Sequence, residues 1–138
     1  MPLQLKIITP MRTAVDASVS SVLVPSAQGE MEILPGHADL IAALGNGELS
    51  YRIPGEETSA LFIGGGFLQV SNDQLLIVTD TVLEASEIDT DTVEQAIERA
   101  QAAFRNASSV LDREEQAKLE AHIAKQMAML DFRRKRRI

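Results

Sequence analysis

Residues Leu61-Phe62-Ile63-Gly64-Gly65-Gly66-Phe67-Leu68-Gln69-Val70-Ser71-Asn72-Asp73-Gln74-Leu75-Leu76-Ile77-Val78-Thr79 hold the decision about the fold. Phe67–Val70 and Leu75–Thr79 are apolar and β-branched, and Ser71-Asn72-Asp73 between them is a turn signal, so the segment predicts a β-hairpin. The glycine triplet has strand on both sides. It lacks the Gly-x-x-x-x-Gly-Lys-Ser/Thr pattern of a phosphate loop, and no helix follows it to present an N-terminus to an anion. Its reading is a close backbone approach or a bulge in a sheet.

Gly66 is also a boundary. All 8 Gly and all 5 Pro of the 138 residues lie at or before it. Glycine and proline punctuate local structure, so the two parts of the chain have different architecture. Before the boundary the sequence breaks into short strands: the alternating Leu3-Leu5-Ile7, then Val19–Val24, Glu30–Leu34, Leu49–Ile53 and Leu61–Ile63. Turns at Pro10, Pro25 to Gly29, Pro35-Gly36 and Pro54-Gly55 separate them. Short strands at this spacing predict an antiparallel β-sandwich or barrel. No crossover helix interrupts them, so no parallel pairing is expected.

After the hairpin the period changes. Val93, Ala96, Ile97, Ala100, Ala103, Phe104 and Ala107 follow helical spacing. Asp89, Asp91 and Glu94 sit where carboxylates favour a helix N-terminus. Asn106-Ala107-Ser108-Ser109 is the expected break. Asp112 with Glu115 resembles a capping box that opens a second helix. That helix carries an Ala stripe (Ala117, Ala121, Ala124, Ala128) beside a larger apolar stripe (Leu119, Ile123, Met127, Leu130). The expectation is an α+β chain, with a sandwich over 1–84 and an amphipathic, Ala-seamed helical hairpin over 85–138. Alanine buries little, so such a hairpin is only lightly locked.

Charge follows the same division. Residues 1–84 carry 3 basic and 10 acidic side chains, and residues 85–138 carry 10 of each, which together give the net charge of −7. Five of the basic residues form one run, Arg133-Arg134-Lys135-Arg136-Arg137. Such a run attracts acidic partners. Nucleic acid is not the expected one, since only Phe132 is at hand to stack and no other basic face supports the run. There is no Cys, which excludes disulfides and thiolate metal sites and fits a cytosolic setting. No apolar run is long enough to span a membrane. The Met-Pro-Leu-Gln-Leu-Lys start lacks the regions of a signal or transit peptide, so one soluble compartment is expected.

Gly29 to Leu40 gathers the candidate chemistry. His37 follows the Pro35-Gly36 turn, with Glu30, Glu32 and Asp39 nearby. Zinc needs three or four ligands, and His37-x-Asp39 offers two, with no second histidine near. No Gly-x-Ser-x-Gly elbow supports a Ser–His–Asp arrangement. His122, the other histidine, has no partner one helical turn away. Three readings stay open on the residues alone: a docking loop, a stand-alone adaptor binding an acidic partner, or a small enzyme using His37 with Asp39 or Glu30.

A resemblance then narrows them. Gly29-Glu30…Ile33-Leu34-Pro35-Gly36-His37-Ala38-x-Leu40 resembles the most recognisable loop of the epsilon subunit family of F-type ATP synthases. Gly65-Gly66-Phe67-Leu68-Gln69-Val70 is similar to the family's Gly-Gly-Phe-x-Glu-Val, with Gln69 replacing Glu. Leu76-Ile77-Val78-Thr79-Asp80 and Glu87-Ile88-Asp89 resemble its approach to the first helix, and Phe132-Arg133-Arg134 resembles tails of photosynthetic and other bacterial members. The resemblance implies a ten-stranded sandwich that docks and a helical hairpin that regulates. It implies a non-catalytic rotor subunit of the central stalk, seated on gamma and the c-ring. Its interface would include Glu30, Pro35, Gly36, His37, Ala38 and Asp39. Its location would be the cytoplasmic face of the bacterial inner membrane, or a thylakoid membrane, bound there only through the complex.

The same resemblance implies a brake, in which the hairpin opens along gamma toward alpha and beta. As one straight helix, residues 90–132 would reach ~65 Å at ~1.5 Å per residue. The basic tail, Arg133, Arg134, Lys135, Arg136 and Arg137, would then meet an acidic segment of beta and strengthen inhibition. Members that bind ATP share Ile/Leu-Asp-x-x-Arg-Ala and a later Arg. Here Asp89 and Arg99 match, but Thr92 stands where the first Arg belongs, so weak or absent ATP binding, and no other cofactor, is expected.

Overall fold

The structure is a computed structural model in which residues 2–107 and 113–135 are described. The chain divides into two compact units, Met1–Glu84 and Ala85–Ile138.

The first unit contains ten strands: β1 Leu3–Ile8, β2 Thr13–Val19, β3 Ser21–Ser26, β4 Gly29–Ile33, β5 Leu40–Leu44, β6 Gly47–Arg52, β7 Thr58–Ile63, β8 Gly66–Ser71, β9 Gln74–Val78 and β10 Val82–Leu83. They form one continuous sheet that turns on itself at β3. One half runs β4-β3-β6-β7-β10 and the other β5-β8-β9-β1-β2, joined where Ser26 pairs with Leu44. Both halves send alternate side chains inward. Leu3, Leu5 and Ile7 of β1 face a common core with Val22 and Val24 of β3, Leu49 of β6, Leu68 of β8 and Ile77 of β9, all buried. Each such Leu or Ile contributes about 1.5–3 kcal/mol by leaving water.

Three strands were not expected from the residues: β2, β5 and β10. β2 carries Asp16 among small side chains, β5 contains Ala42-Ala43, and β10 has two residues, so none gives a strong alternation. The exclusion of parallel pairing is corrected as well. β1 runs parallel to β9, with Leu5 opposite Leu75, and every other pairing is antiparallel. A crossover helix is unnecessary because seven intervening strands carry the chain round the sandwich.

The glycine triplet is a close approach. Gly66 has φ +119°, and a Cβ there would come within 1.9 Å of the Val78 carbonyl oxygen. The buried Thr79 hydroxyl donates to the Gly64 carbonyl at 3.1 Å, which ties the triplet to the end of β9.

In the second unit a 3-10 turn, Ala85–Glu87, leads to α1, Thr90–Ala107, and α2, Arg113–Lys135. Asp89 caps α1, accepting from the backbone N–H of Asp91 at 3.0 Å and of Thr92 at 3.4 Å. Arg134 near the end of α2 meets Glu94 in the second turn of α1, so the helices pack antiparallel. The helix runs through Asn106 and Ala107, where a break was expected. Ser108, Ser109 and Asp112 of the expected break and cap lie outside the described residues. The Ala seam is corrected: Ala117, Ala121 and Ala124 are exposed. Burial falls instead on Val93, Ile97 and Ala100 of α1 and on Leu130 and Phe132 of α2. The amphipathic α2 is corrected too. Its apolar residues are spread round the helix rather than gathered on one side, and Leu130 and Phe132 are buried although two residues apart.

Candidate docking interface

The loop from Leu34 to Asp39 joins β4 to β5 and is built as a rigid projection. Leu34-Pro35-Gly36-His37 is a type II turn: the His37 N–H donates to the Leu34 carbonyl at 3.1 Å, with Gly36 at φ +84°. Proline presets the first central position and glycine supplies the positive φ of the second. The Gly36 N–H donates to Asp73 Oδ1 at 2.6 Å. Asp73 belongs to the β8–β9 turn, where Asn72 and Asp73 both take positive φ, the conformation that two-residue hairpins require. The Asp73 carbonyl also accepts from the Gln4 N–H at 2.9 Å. One aspartate therefore fixes the loop tip and the start of β1 to the same turn, through a charge-assisted hydrogen bond in the first case.

What this loop presents is surface. Leu34 is 47% exposed, and Pro35, Gly36, Ala38 and Asp39 are exposed, with His37 half-buried. His37 Nδ1 lies 2.7 Å from the Ala38 carbonyl oxygen. A carbonyl only accepts, so Nδ1 carries the proton and the ring is held by its own loop. Among the described residues, no group of three His, Asp or Glu side chains is placed to share a metal ion. Glu30 is exposed on β4 opposite Pro25. It lies four positions before Leu34, about 13 Å along the strand, and no hydrogen bond between it and His37 is seen among the described residues. His122 is exposed on α2.

Two residues that the sequence reading did not assign to the interface extend the exposed apolar surface next to the loop. Ile41 is 72% exposed and Phe67 is 45% exposed, on the paired strands β5 and β8. The signal was the alternation of β5, which its alanines conceal. Exposed apolar side chains gathered on neighbouring strands mark an interaction surface.

The helical unit places the remaining candidates. Asp89 is engaged in capping: besides its backbone bonds, Oδ2 accepts from the Thr92 hydroxyl at 2.9 Å. These bonds, the Thr92 hydroxyl first, hold its carboxyl below the usual aspartate range. Arg99 is exposed ten residues further on, about 15 Å along the helix, so the structure does not join it to Asp89. Of the basic run, Arg133 and Lys135 end α2, with Arg134 between them at 2.9 Å from Glu94. Arg136 and Arg137 lie outside the described residues. Phe132 is buried, which removes it as a stacking platform for a base.

A family model of the ATP synthase delta/epsilon chain beta-sandwich domain matches residues 2–85. The ATP synthase epsilon chain of Moorella thermoacetica is 37% identical over 128 residues, 93% of each chain. The chain belongs to the ATP synthase epsilon-chain family. The family likeness reaches plastids: the chloroplastic ATP synthase epsilon chain of Guillardia theta is 36% identical, covering 82% of this chain and 86% of its own. A chain in the Euglena gracilis mitochondrial ATP synthase structure (OSCP/F1/c-ring) superposes with a TM-score of 0.77 at 22% identity. It covers 93% of this chain and 79% of its own, a likeness of fold. For this family the ten-stranded sandwich and the two helices are the shared architecture, and the pinned loop lies within the matched segment. Among the described residues, no helix is long and apolar enough to cross a membrane.

Proposed function

We propose that this chain is a non-catalytic rotor subunit of the central stalk of an F-type ATP synthase. The sandwich docks on gamma and the c-ring through the 34–39 loop, with Ile41 and Phe67 extending the contact. The helical unit restrains ATP hydrolysis when it opens toward alpha and beta. The observation that carries the reading is the loop itself: a projection pinned by Asp73, exposed at its tip, in a chain of this family. A binding surface gains affinity when its conformation is set in advance, because less order is lost on docking. The chain sits peripherally at the cytoplasmic face of the membrane, or at the corresponding face of a thylakoid, held by the complex.

Co-purification with gamma tests the docking, and an ATPase assay of the complex with and without residues 85–138 tests the restraint. We expect retention on gamma in both cases and faster hydrolysis without the helices. Substituting His37 with Ala separates docking from chemistry, since a docking loop alters gamma binding and an active site loses turnover.

ATP binding by this subunit is weak or absent in our reading. Thr92 occupies the place of a phosphate-binding guanidinium and holds Asp89 to the helix N-terminus. Calorimetric titration of the full chain should show no micromolar binding of ATP, and a clear micromolar isotherm overturns this.

A further inference from the structure

The basic run was assigned to a partner, yet its described part already faces acidic groups of its own unit. Glu94 and Arg134 meet at 2.9 Å across the two helices, with 48% and 57% of their side chains exposed. Beside them a cleft of about 520 Å³ is lined by the capping Asp89, by Asp91 and Glu94 from α1 and by Arg133 and Arg134 from α2. Arg133 Nε is buried there with no hydrogen-bond partner among the described residues. Asp89 and Asp91 thus stand at the positive end of the α1 dipole, with Glu94 one turn further on, and Arg133 and Arg134 stand at the negative end of the α2 dipole. Each set favours its own helix, and the antiparallel packing brings the two sets together.

We propose that Arg134 and Glu94 form a charge clasp that holds the helical hairpin closed, so that the start of the basic run opposes the inhibition its remainder promotes. The sign is opposite to the one that the tail's composition suggests. Opening the hairpin breaks the pair, and Arg134 becomes available to a partner only after Glu94 has released it. The consequence for hydrolysis rests on the reading that the open hairpin is the restraining form.

The test uses the full chain as Glu94→Gln, Arg134→Gln and the double variant. Amide hydrogen exchange of the two helices reads the closed state directly. Both side chains are half exposed, so each single change should speed exchange by about twofold. The double variant should exchange faster by clearly less than the product of the two single effects, because the pair is lost once. The cycle subtracts what each charge contributes to its own helix end. No acceleration in either single variant, or a multiplied, about fourfold, acceleration in the double, overturns the clasp. In the reconstituted complex the same variants should hydrolyse ATP more slowly. Exchange that follows the cycle while hydrolysis stays unchanged upholds the clasp and overturns the restraining role of opening.

Discussion

Gly66 shows how much can rest on a missing side chain. Its backbone takes φ +119°, and the Val78 carbonyl occupies the place of a Cβ. Replacement by Ala forces β8 away from the end of β9, beneath Leu68 and Ile77 of the core. Gly36 is the counterexample, since φ +84° strains any other residue but nothing lies within 4 Å of its missing Cβ. We expect Gly36→Ala to cost about 1–2 kcal/mol, the ordinary penalty of a left-handed residue. Gly66→Ala should cost more, because an overpacking penalty of about 1–3 kcal/mol adds to the same left-handed strain. Thermal unfolding of the two variants checks the ranking, and equal midpoints refute it. The chemistry of both sites was partly readable in the sequence. A Pro-Gly pair names its own turn, and three glycines between strands name a close approach. The Asp73 that pins Gly36 is 37 residues away in the chain, so nothing local announces it.

At the scale of the element, α1 begins where Asp89 can satisfy its first N–H groups. The carboxyl is held below its ordinary value by the Thr92 hydroxyl first and the Thr92 backbone N–H next. A depressed carboxyl stabilises the fold above its unfolded value, and that stabilisation fades as the pH falls through the folded value. Helical content measured by circular dichroism should therefore drop below about pH 4. Asp89→Asn should flatten part of that drop, and superimposable profiles exclude the cap as its source. The helices themselves were legible because the apolar spacing of α1 is regular. Which side of α2 would be buried was not. Its Ala and Leu/Ile stripes satisfy the same period, and only packing against α1 decides between them. Nor was the clasp legible, because Glu94 and Arg134 are 40 residues apart and each looks like ordinary surface charge.

For the whole molecule, an acidic sandwich carries a helical unit whose end is strongly basic. If the run acts on a partner while Arg134 is used internally, its members differ in sign. Neutralising Lys135, Arg136 and Arg137 should raise hydrolysis by the reconstituted complex more than neutralising all five. The difference should be about twofold at low salt and should shrink at high salt, where half-exposed charges are screened. Equal effects of the two sets contradict this division. The ten-stranded sheet was the part most open to a sequence reading, since alternation and turns mark seven of its strands. The parallel pair was not open to it, because pairing between strands so far apart in the chain leaves no local trace. That pair also governs how the protein comes into being. β1 is made first, but its second edge waits for β9, with Leu5 opposite Leu75. At about 5–20 residues per second, the ribosome takes roughly 4 to 14 s to supply that partner. Until then β1 has only the hairpin with β2 to hide its three core side chains, and contacts this distant in the chain form late and slowly. Until the 67–78 hairpin emerges, the nascent sandwich cannot cover that edge and stays open to aggregation.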